Sequence, residues 1–259
     1  MSAASLGATP FTASMLQFGN SSIDTIVFGE KSHFVRENGW VKDFTTRAQV
    51  EDVYRGLARH YDRAARVLDV LGFGYDRLRR QAVDALMLQP GDTVLEIGCG
   101  TGANFPMLEE HIGPIGRLIG IDLTRSMLDV AEKRIQAAGW NNVELIQSAA
   151  KDYPFRKQSV DAVISTFALT LEPDYDAVIA SVATALRPSG RFAIADFKLT
   201  RGWPLLFLPF LLLVVRPFAV SLKLANRHPW ESMQRYLDGL QMTESLVGYL
   251  YVASARRPG

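Results

Sequence analysis

The segment Val94-Leu95-Glu96-Ile97-Gly98-Cys99-Gly100-Thr101-Gly102-Ala103-Asn104 constrains this chain more than any other. A short apolar run that takes in one acid reads as a buried parallel strand. Three glycines at alternate positions then allow a sharp turn and a close backbone approach to a ligand, where a Cβ would collide. From about Asn104 the residues open a helix, whose free N–H groups and positive dipole end face whatever lies over the loop. Strand, glycine turn and helix together predict an α/β fold holding a nucleoside-like cofactor.

Two cofactor classes use this geometry. A dinucleotide fold prefers G-x-G-x-x-G with a phosphate on the helix N-terminus. Here the third glycine comes one residue early, and Glu96 stands two residues before the first. A carboxylate there repels a pyrophosphate and suits a cofactor carrying positive charge. The next predicted strand, Arg117 to Ile121, ends in Asp122, where a ribose diol would be gripped from the neighbouring strand end.

This stretch resembles the class I S-adenosylmethionine-dependent methyltransferases, whose first motif is E/D-x-G-x-G-x-G with an acid closing the second strand. The resemblance runs on through Ile146 to Phe155, Val160 to Ser165 and Leu186 to Arg191, covering roughly residues 50 to 200. It implies a Rossmann-like, seven-stranded sheet, mostly parallel with the last strand antiparallel, flanked by helices. It also implies S-adenosylmethionine as cofactor, contacted by Glu96, Gly98, Cys99, Gly100, Thr101, Gly102, Asn104 and Asp122. Cys99 reads as a small filler of the loop and not as a nucleophile.

At 259 residues the chain can bury a full core in one domain, and 48% hydrophobic content excludes a wholly disordered one. A net charge of +1 gives no global field to recruit nucleic acid. The single cysteine excludes an internal disulfide and fits a reducing cytosol. Nothing from Met1 to Pro10 reads as a secretory signal, so a cytoplasmic location is expected. No metal site is expected.

Residues 1–48 read as a loosely ordered N-terminal arm and 49–259 as the methyltransferase domain. Val53, Leu57, Tyr61, Ala64, Val67, Leu68 and Leu71 recur at helical spacing until Gly72-Phe73-Gly74. A second helix is expected over Tyr75 to Met87, with Leu78, Val83 and Leu86 inward and Arg77, Arg79 and Arg80 outward. These helices, within 49–90, should lie across the ligand-bearing sheet edge. Inside the first stands Arg59-His60-Tyr61-Asp62. The chain is similar to ubiquinone/menaquinone C-methyltransferases and bacterial phosphatidylethanolamine N-methyltransferases. There a Tyr-Asp pair at a similar distance before the glycine loop lies over the cofactor, which implies a cofactor or catalytic role for Tyr61. Tyr61 as plain core aromatic and Asp62 as solvated residue is the competing interpretation, and His60 is the weaker catalytic candidate.

Thr124 to Ala138 reads as a helix stopped by Gly139, with Leu123 or Met127 positioned to cover an adenine ring. After the third strand, Val143 to Ile146, the family usually has an acid that accepts from the adenine amino group. Here that residue is Ala149, so recognition falls to groups near Ala150 or to another side chain. The fourth strand, Ala162 to Ser165, leads to Phe167 and Leu169, an apolar wall on the edge that faces the methyl group. Ser165 and Phe167 complete the expected cofactor contacts. A helix over Asp174 to Leu186, a turn at Arg187 to Gly190 and a strand from Arg191 to Ala195 follow. Ser232 to Leu240 is expected to be helical, and Thr243 to Gly248 with Tyr249 to Ala255 the closing strand pair.

Residues 200–230 form an apolar insert. Its unbroken core, Leu205 to Val215, spans 11 residues, short of a membrane crossing, and Pro204, Pro209 and Pro217 interrupt a straight helix. Lys198, Arg201, Arg216, Lys223 and Arg227 flank it with no acid before Glu231. The 203–218 stretch reads as a lid over a greasy substrate, a segment dipping into an anionic membrane surface, or a buried core helix.

Methyl transfer from a sulfonium is an in-line displacement with a neutral leaving group, so positioning and desolvation supply most of the rate. A quinol carbon or phenol oxygen would want a base. His60, Tyr61, Asp196 and His228 are the candidates. The sequence therefore reads as an enzyme methylating a lipophilic acceptor, peripheral to the inner face of a membrane. A phospholipid headgroup amine ranks first and C- or O-methylation of a quinone precursor or other small hydrophobic molecule second. A membrane scaffold that keeps the cofactor without turnover is the rival from outside enzymology.

Overall fold

The computed structural model describes residues 47–58, 60–198 and 227–259. The arm expected over 1–48 lies outside that range up to residue 46, as does the insert up to residue 226, so the three interpretations of the 203–218 stretch rest on sequence.

The glycine turn joins β1 (Thr93–Ile97) to α4 (Phe105–Ile112). Before it run α1 (Arg47–Leu57), α2 (Tyr61–Val70) and α3 (Tyr75–Ala85). After it come β2 (Arg117–Asp122), α5 (Arg125–Ala138), β3 (Val143–Gln147) and β4 (Val160–Thr166). Then follow α6 (Tyr175–Ala185), β5 (Leu186–Phe197), α7 (Pro229–Tyr236), β6 (Asp238–Ser245) and β7 (Leu250–Arg256). The strands make one sheet in the order β3-β2-β1-β4-β5-β7-β6. β1 to β5 pair in parallel, β7 is antiparallel to β5, and β6 is antiparallel to β7. This is the fold implied by the resemblance.

Period-two alternation divides the core between the two sheet faces. Val94, Leu118, Ile164 and Val252 pack with Leu78, Ala82, Phe105, Leu108 and Leu128, so α3, α4 and α5 cover one face. Leu95, Ile119, Val163, Phe192 and Tyr251 pack with Val178, Ile179, Val182 and Met233, so α6 and α7 cover the other. Strand order reverses between β1 and β4, which opens a crevice at their carboxyl ends.

Four local expectations need correction. The helix expected from residue 49 to 71 is two, the first ending at Leu57 and the second starting at Tyr61, and His60 N–H donates to Leu57 O at 2.8 Å. Gly56, a poor helix former, precedes the break. The helix expected over Ser232 to Leu240 ends at Tyr236, and Asp238 already belongs to β6; Gly239 at φ +65° marks the change. The turn at Arg187 to Gly190 is an irregularity inside β5, since Leu186 pairs with Val160 and Arg191 with Ala162. Finally, Arg79 is buried, whereas Arg77 and Arg80 are exposed as expected.

Candidate active site

The crevice is a cleft with about 810 Å3 of empty space, open to solvent on one side. Of the residues singled out in the sequence, Tyr61, Gly98, Gly100, Asp122, Leu123, Met127, Ala149, Ala150 and Phe167 meet on its walls. Tyr54, Thr124, Ser148, Thr166, Ala168, Leu169, Leu171 and Glu172 also line it.

The glycine turn makes the floor. Gly98 has φ +67°, and a Cβ there would stand 2.2 Å from Ala168 Cβ, so the loop after β4 presses on it. Gly100 has φ +54° with nothing within 4 Å of its missing Cβ. That open cradle faces the cleft, and it is where a ligand can approach the main chain. Gly100 N–H donates to Asp122 Oδ2 at 2.9 Å, and Thr124 N–H donates to Asp122 Oδ1 at 2.8 Å. Burial raises the Asp122 pKa while these amides pull it down. Leu123, Met127, Ala149 and Ala150 form an apolar slot beside it.

Glu96, Cys99, Thr101, Gly102, Asn104 and Ser165, all expected at the cofactor, are not on the cleft wall. Cys99, Thr101 and Gly102 belong to the loop itself, Glu96 and Asn104 meet beneath it, and Ser165 is buried within β4. Asn104 Nδ2 donates to Glu96 Oε1 at 2.7 Å and to Thr166 Oγ1 at 2.9 Å. Glu96 is 1% exposed, and its Oε2 has no hydrogen-bond partner among the described residues. Burial pushes its pKa up to about 8 against the opposing effects of Asn104 and Arg79, so at pH 7 it is mostly protonated rather than the carboxylate expected from sequence. Cys99 fills space as anticipated: its Sγ would lie 2.9 Å from a Cβ at Gly120, and burial raises its thiol pKa well above normal. Thr101 Oγ1 donates to Asp62 Oδ1 at 2.5 Å, and Arg134 pairs with the other Asp62 oxygen. Asp62 therefore clasps α2 to the glycine loop and to α5, and is not a freely solvated residue.

Arg79 is a buried site residue whose charge alone points outward. Its spacing with Tyr75, Leu78, Ala82 and Val83 already placed it on the inward face. It is 5% exposed, lies 3.5 Å from Asn104 Oδ1 and holds its guanidinium 5.5 Å from the Phe167 ring centre. Phe167 sits at φ +57°, a strained conformation for a bulky residue, anchored by its N–H to Ala195 O at 2.7 Å. Its ring lies 4.7 Å from Tyr75 and 5.4 Å from Phe197. Tyr61 is buried with its hydroxyl pKa raised, foremost by burial, and its ring lies 6.1 Å from Tyr54. Aromatic side chains therefore crowd the cleft at the ends of β4 and β5.

The remaining base candidates lie elsewhere. His60 is exposed. His228 sits 3.1 Å from Glu231 and stacks near Trp230, off the cleft wall. Asp196 accepts from the Thr170 and Phe197 N–H groups at 2.9 and 2.8 Å, with its pKa raised to about 6 by burial. It is an anchor for the loop after β4.

The model of the ubiE/COQ5 methyltransferase family matches residues 42–218. The chain belongs to that family. This methyltransferase is 31% identical over 216 residues to the demethylmenaquinone methyltransferase of Listeria monocytogenes, covering 80% of this chain and 90% of that protein. It is 32% identical over 142 residues to the demethylmenaquinone methyltransferase of Geobacillus stearothermophilus, 55% of this chain and 60% of that one. In fold it is similar to a SAM-dependent methyltransferase from Aquifex aeolicus, with TM-score 0.52, 20% identity and coverage of 74% of this chain and 97% of that one. It is likewise similar to geranyl diphosphate C-methyltransferase from Streptomyces coelicolor, with TM-score 0.56, 17% identity and coverage of 70% and 79%.

The protein is a class I S-adenosylmethionine-dependent methyltransferase. The residues present fit that cofactor. The open cradle at Gly100, the carboxylate closing β2 and the apolar slot beside it suit a nucleoside with a ribose diol. No helix among the described residues is long and apolar enough to cross a membrane.

Proposed function

We propose that this enzyme methylates a ring carbon of a lipophilic quinone precursor of the demethylmenaquinone type, in its reduced form. The observation that carries this reading is the aromatic wall of Tyr54, Tyr61 and Phe167, backed by Tyr75 and Phe197. A planar electron-rich ring packs well against such side chains. The names of the relatives point the same way, and they displace the phospholipid headgroup amine that the sequence alone ranked first.

S-adenosylmethionine, when bound, supplies an electrophilic methyl group and departs as a neutral thioether. Gly98, Gly100, Asp122, Leu123, Met127, Ala149 and Ala150 would hold its nucleoside and amino-acid parts. Tyr54, Tyr61 and Phe167 orient the acceptor ring and exclude water. With its hydroxyl pKa raised by burial, Tyr61 stays protonated and acts as a hydrogen-bonding group on the acceptor oxygen, not as the base, and the proton released from the methylated ring carbon passes to water at the open side of the cleft.

The acceptor's tail implies delivery from a membrane. Val67, Val70 and Leu71 on and beside α2 are 54%, 84% and 64% exposed, and Arg63 and Arg66 share that outward side by helical spacing. The acids of α2 are held: Asp62 binds Thr101 and Arg134, and Asp69 accepts from Asp76 N–H at 3.1 Å. An outward surface with apolar side chains and exposed cations suits an anionic lipid surface. The same helix carries Tyr61 to the cleft wall, and the apolar 205–215 stretch adds a second contact of the same kind.

The test is transfer of labelled methyl from S-adenosylmethionine to demethylmenaquinol or to phosphatidylethanolamine, each presented in vesicles. Label in the quinol alone is expected. Label in the phospholipid alone returns the amine to first place.

A further inference from the structure

Recognition of the adenine ring has no obvious side chain where β3 ends. Of the residues that reach the cleft there, Ala149 and Ala150 carry only methyl side chains and Ser148 turns its Oγ to donate to Ala149 O at 2.9 Å, while each Asp122 oxygen already accepts one N–H, from Gly100 or Thr124, and its remaining lone pairs suit the ribose diol. An amino group buried without an acceptor is costly, so a second acceptor should line the slot.

Asp122 and Glu172 are the carboxylates among the cleft-lining residues. Glu172 is 9% exposed and follows the loop after β4. Its Oε1 accepts from Asp174 N–H at 3.1 Å, which fixes it at the entrance to α6. Asp174 Oδ2 in turn holds Lys151 Nζ at 2.9 Å. That bridge pins the corner carrying Glu172 to the segment carrying Ala149 and Ala150. Arg227, which donates to Thr170 O at 2.6 Å, is a neighbouring cation among the described residues.

We propose that Glu172 is the specificity residue for the adenine ring, accepting a hydrogen bond from its exocyclic amino group across the slot from Ala149. This rests on the cofactor reading of the cleft. A carboxylate there accepts from a 6-amino purine and repels a 6-oxo purine, whose oxygen is itself an acceptor. Base identity is then read by a residue arriving from β4, while β3 contributes only apolar contact.

The test is calorimetric titration of the full-length protein with S-adenosylhomocysteine and with S-inosylhomocysteine. Wild type should prefer the adenosyl compound by roughly tenfold or more, as for a site with a matched buried acceptor. Glu172→Gln should narrow or invert that preference, because its amide donates to the 6-oxo group. Glu172→Ala should lose the preference, and adding Ala149→Asp should restore it from the other wall. Urea midpoints of the variants separate misfolding from lost recognition. If Glu172→Gln folds and keeps the wild-type preference, the proposal is overturned. A fall in affinity for both nucleosides with the preference intact overturns it equally, since it shows a structural role alone. Failure of wild type to bind either compound would remove the cofactor reading itself, whereas failure confined to the variants removes only Glu172.

Discussion

Asn104 Nδ2 donates to Glu96 Oε1 at 2.7 Å, joining the two ends of the glycine turn underneath the main chain that floors the cleft. The acid of the motif thereby supports the loop from below, where its other oxygen finds no partner among the described residues.

This has a consequence for pH. The Glu96 pKa rises from 4.5 to about 8 in the folded protein, so between those values the folded state holds a proton that the unfolded chain has lost. Stability of the cofactor-free protein must fall as pH rises through that window, by on the order of a few kcal/mol in full. Asp196, raised from 3.8 to about 6, acts in the same direction at lower pH. Urea midpoints between pH 6 and 8 therefore separate the two. Glu96→Gln should flatten that range, and a slope unchanged from wild type would contradict the buried protonated acid.

The glycines of the turn should part company on substitution. Gly98→Ala places a Cβ 2.2 Å from Ala168 Cβ at a positive φ, and should cost ~2–5 kcal/mol in urea unfolding. Gly100→Ala meets nothing within 4 Å and should cost only ~1–2 kcal/mol from its backbone conformation. Yet Gly100→Ala should weaken S-adenosylhomocysteine by about tenfold or more, a loss of ~1.4 kcal/mol, because the cradle is filled. Equal affinities in calorimetry would show that the ligand does not approach there.

Asp62→Ala removes the clasp from α2 to Thr101 and Arg134. A stability loss of about 1–2 kcal/mol is expected. Cofactor affinity should fall with it, since α2 holds Tyr61 over the cleft. Unfolding and nucleoside titration on the same preparation check both.

Two surface variants probe lipid contact. Val67→Ser, Val70→Ser and Leu71→Ser together should lower binding to anionic liposomes by tenfold or more, at roughly 1.5–2 kcal/mol per apolar side chain withdrawn from lipid. Leu206→Ser, Phe210→Ser and Leu213→Ser test the insert in the same assay. Nucleoside affinity should hold in each. Unchanged sedimentation with liposomes would remove that surface from the membrane reading. A change in oligomeric state on altering α2 would assign the patch to a second copy of the chain.

The sequence by itself determined the sheet, the cofactor turn and the closing acid at Asp122, because these depend on local periodicity and on backbone conformations that glycine supplies. It also carried Phe167 to the right edge, since the end of β4 places it there, while Tyr61 was placed over the cleft by the family resemblance. What only the tertiary structure decided is which polar groups are buried together. Arg79 looked outward from its charge, but the space beneath the loop and the Phe167 face take it in. Glu96 looked like a ligand group, but it is turned under the turn and mostly protonated at pH 7. Tyr54 and Glu172 join Ala149 in one cleft although 95 and 23 residues separate them from it in the chain. Such contacts are set by how helices pack across the sheet edge, a long-range relation that no local pattern encodes.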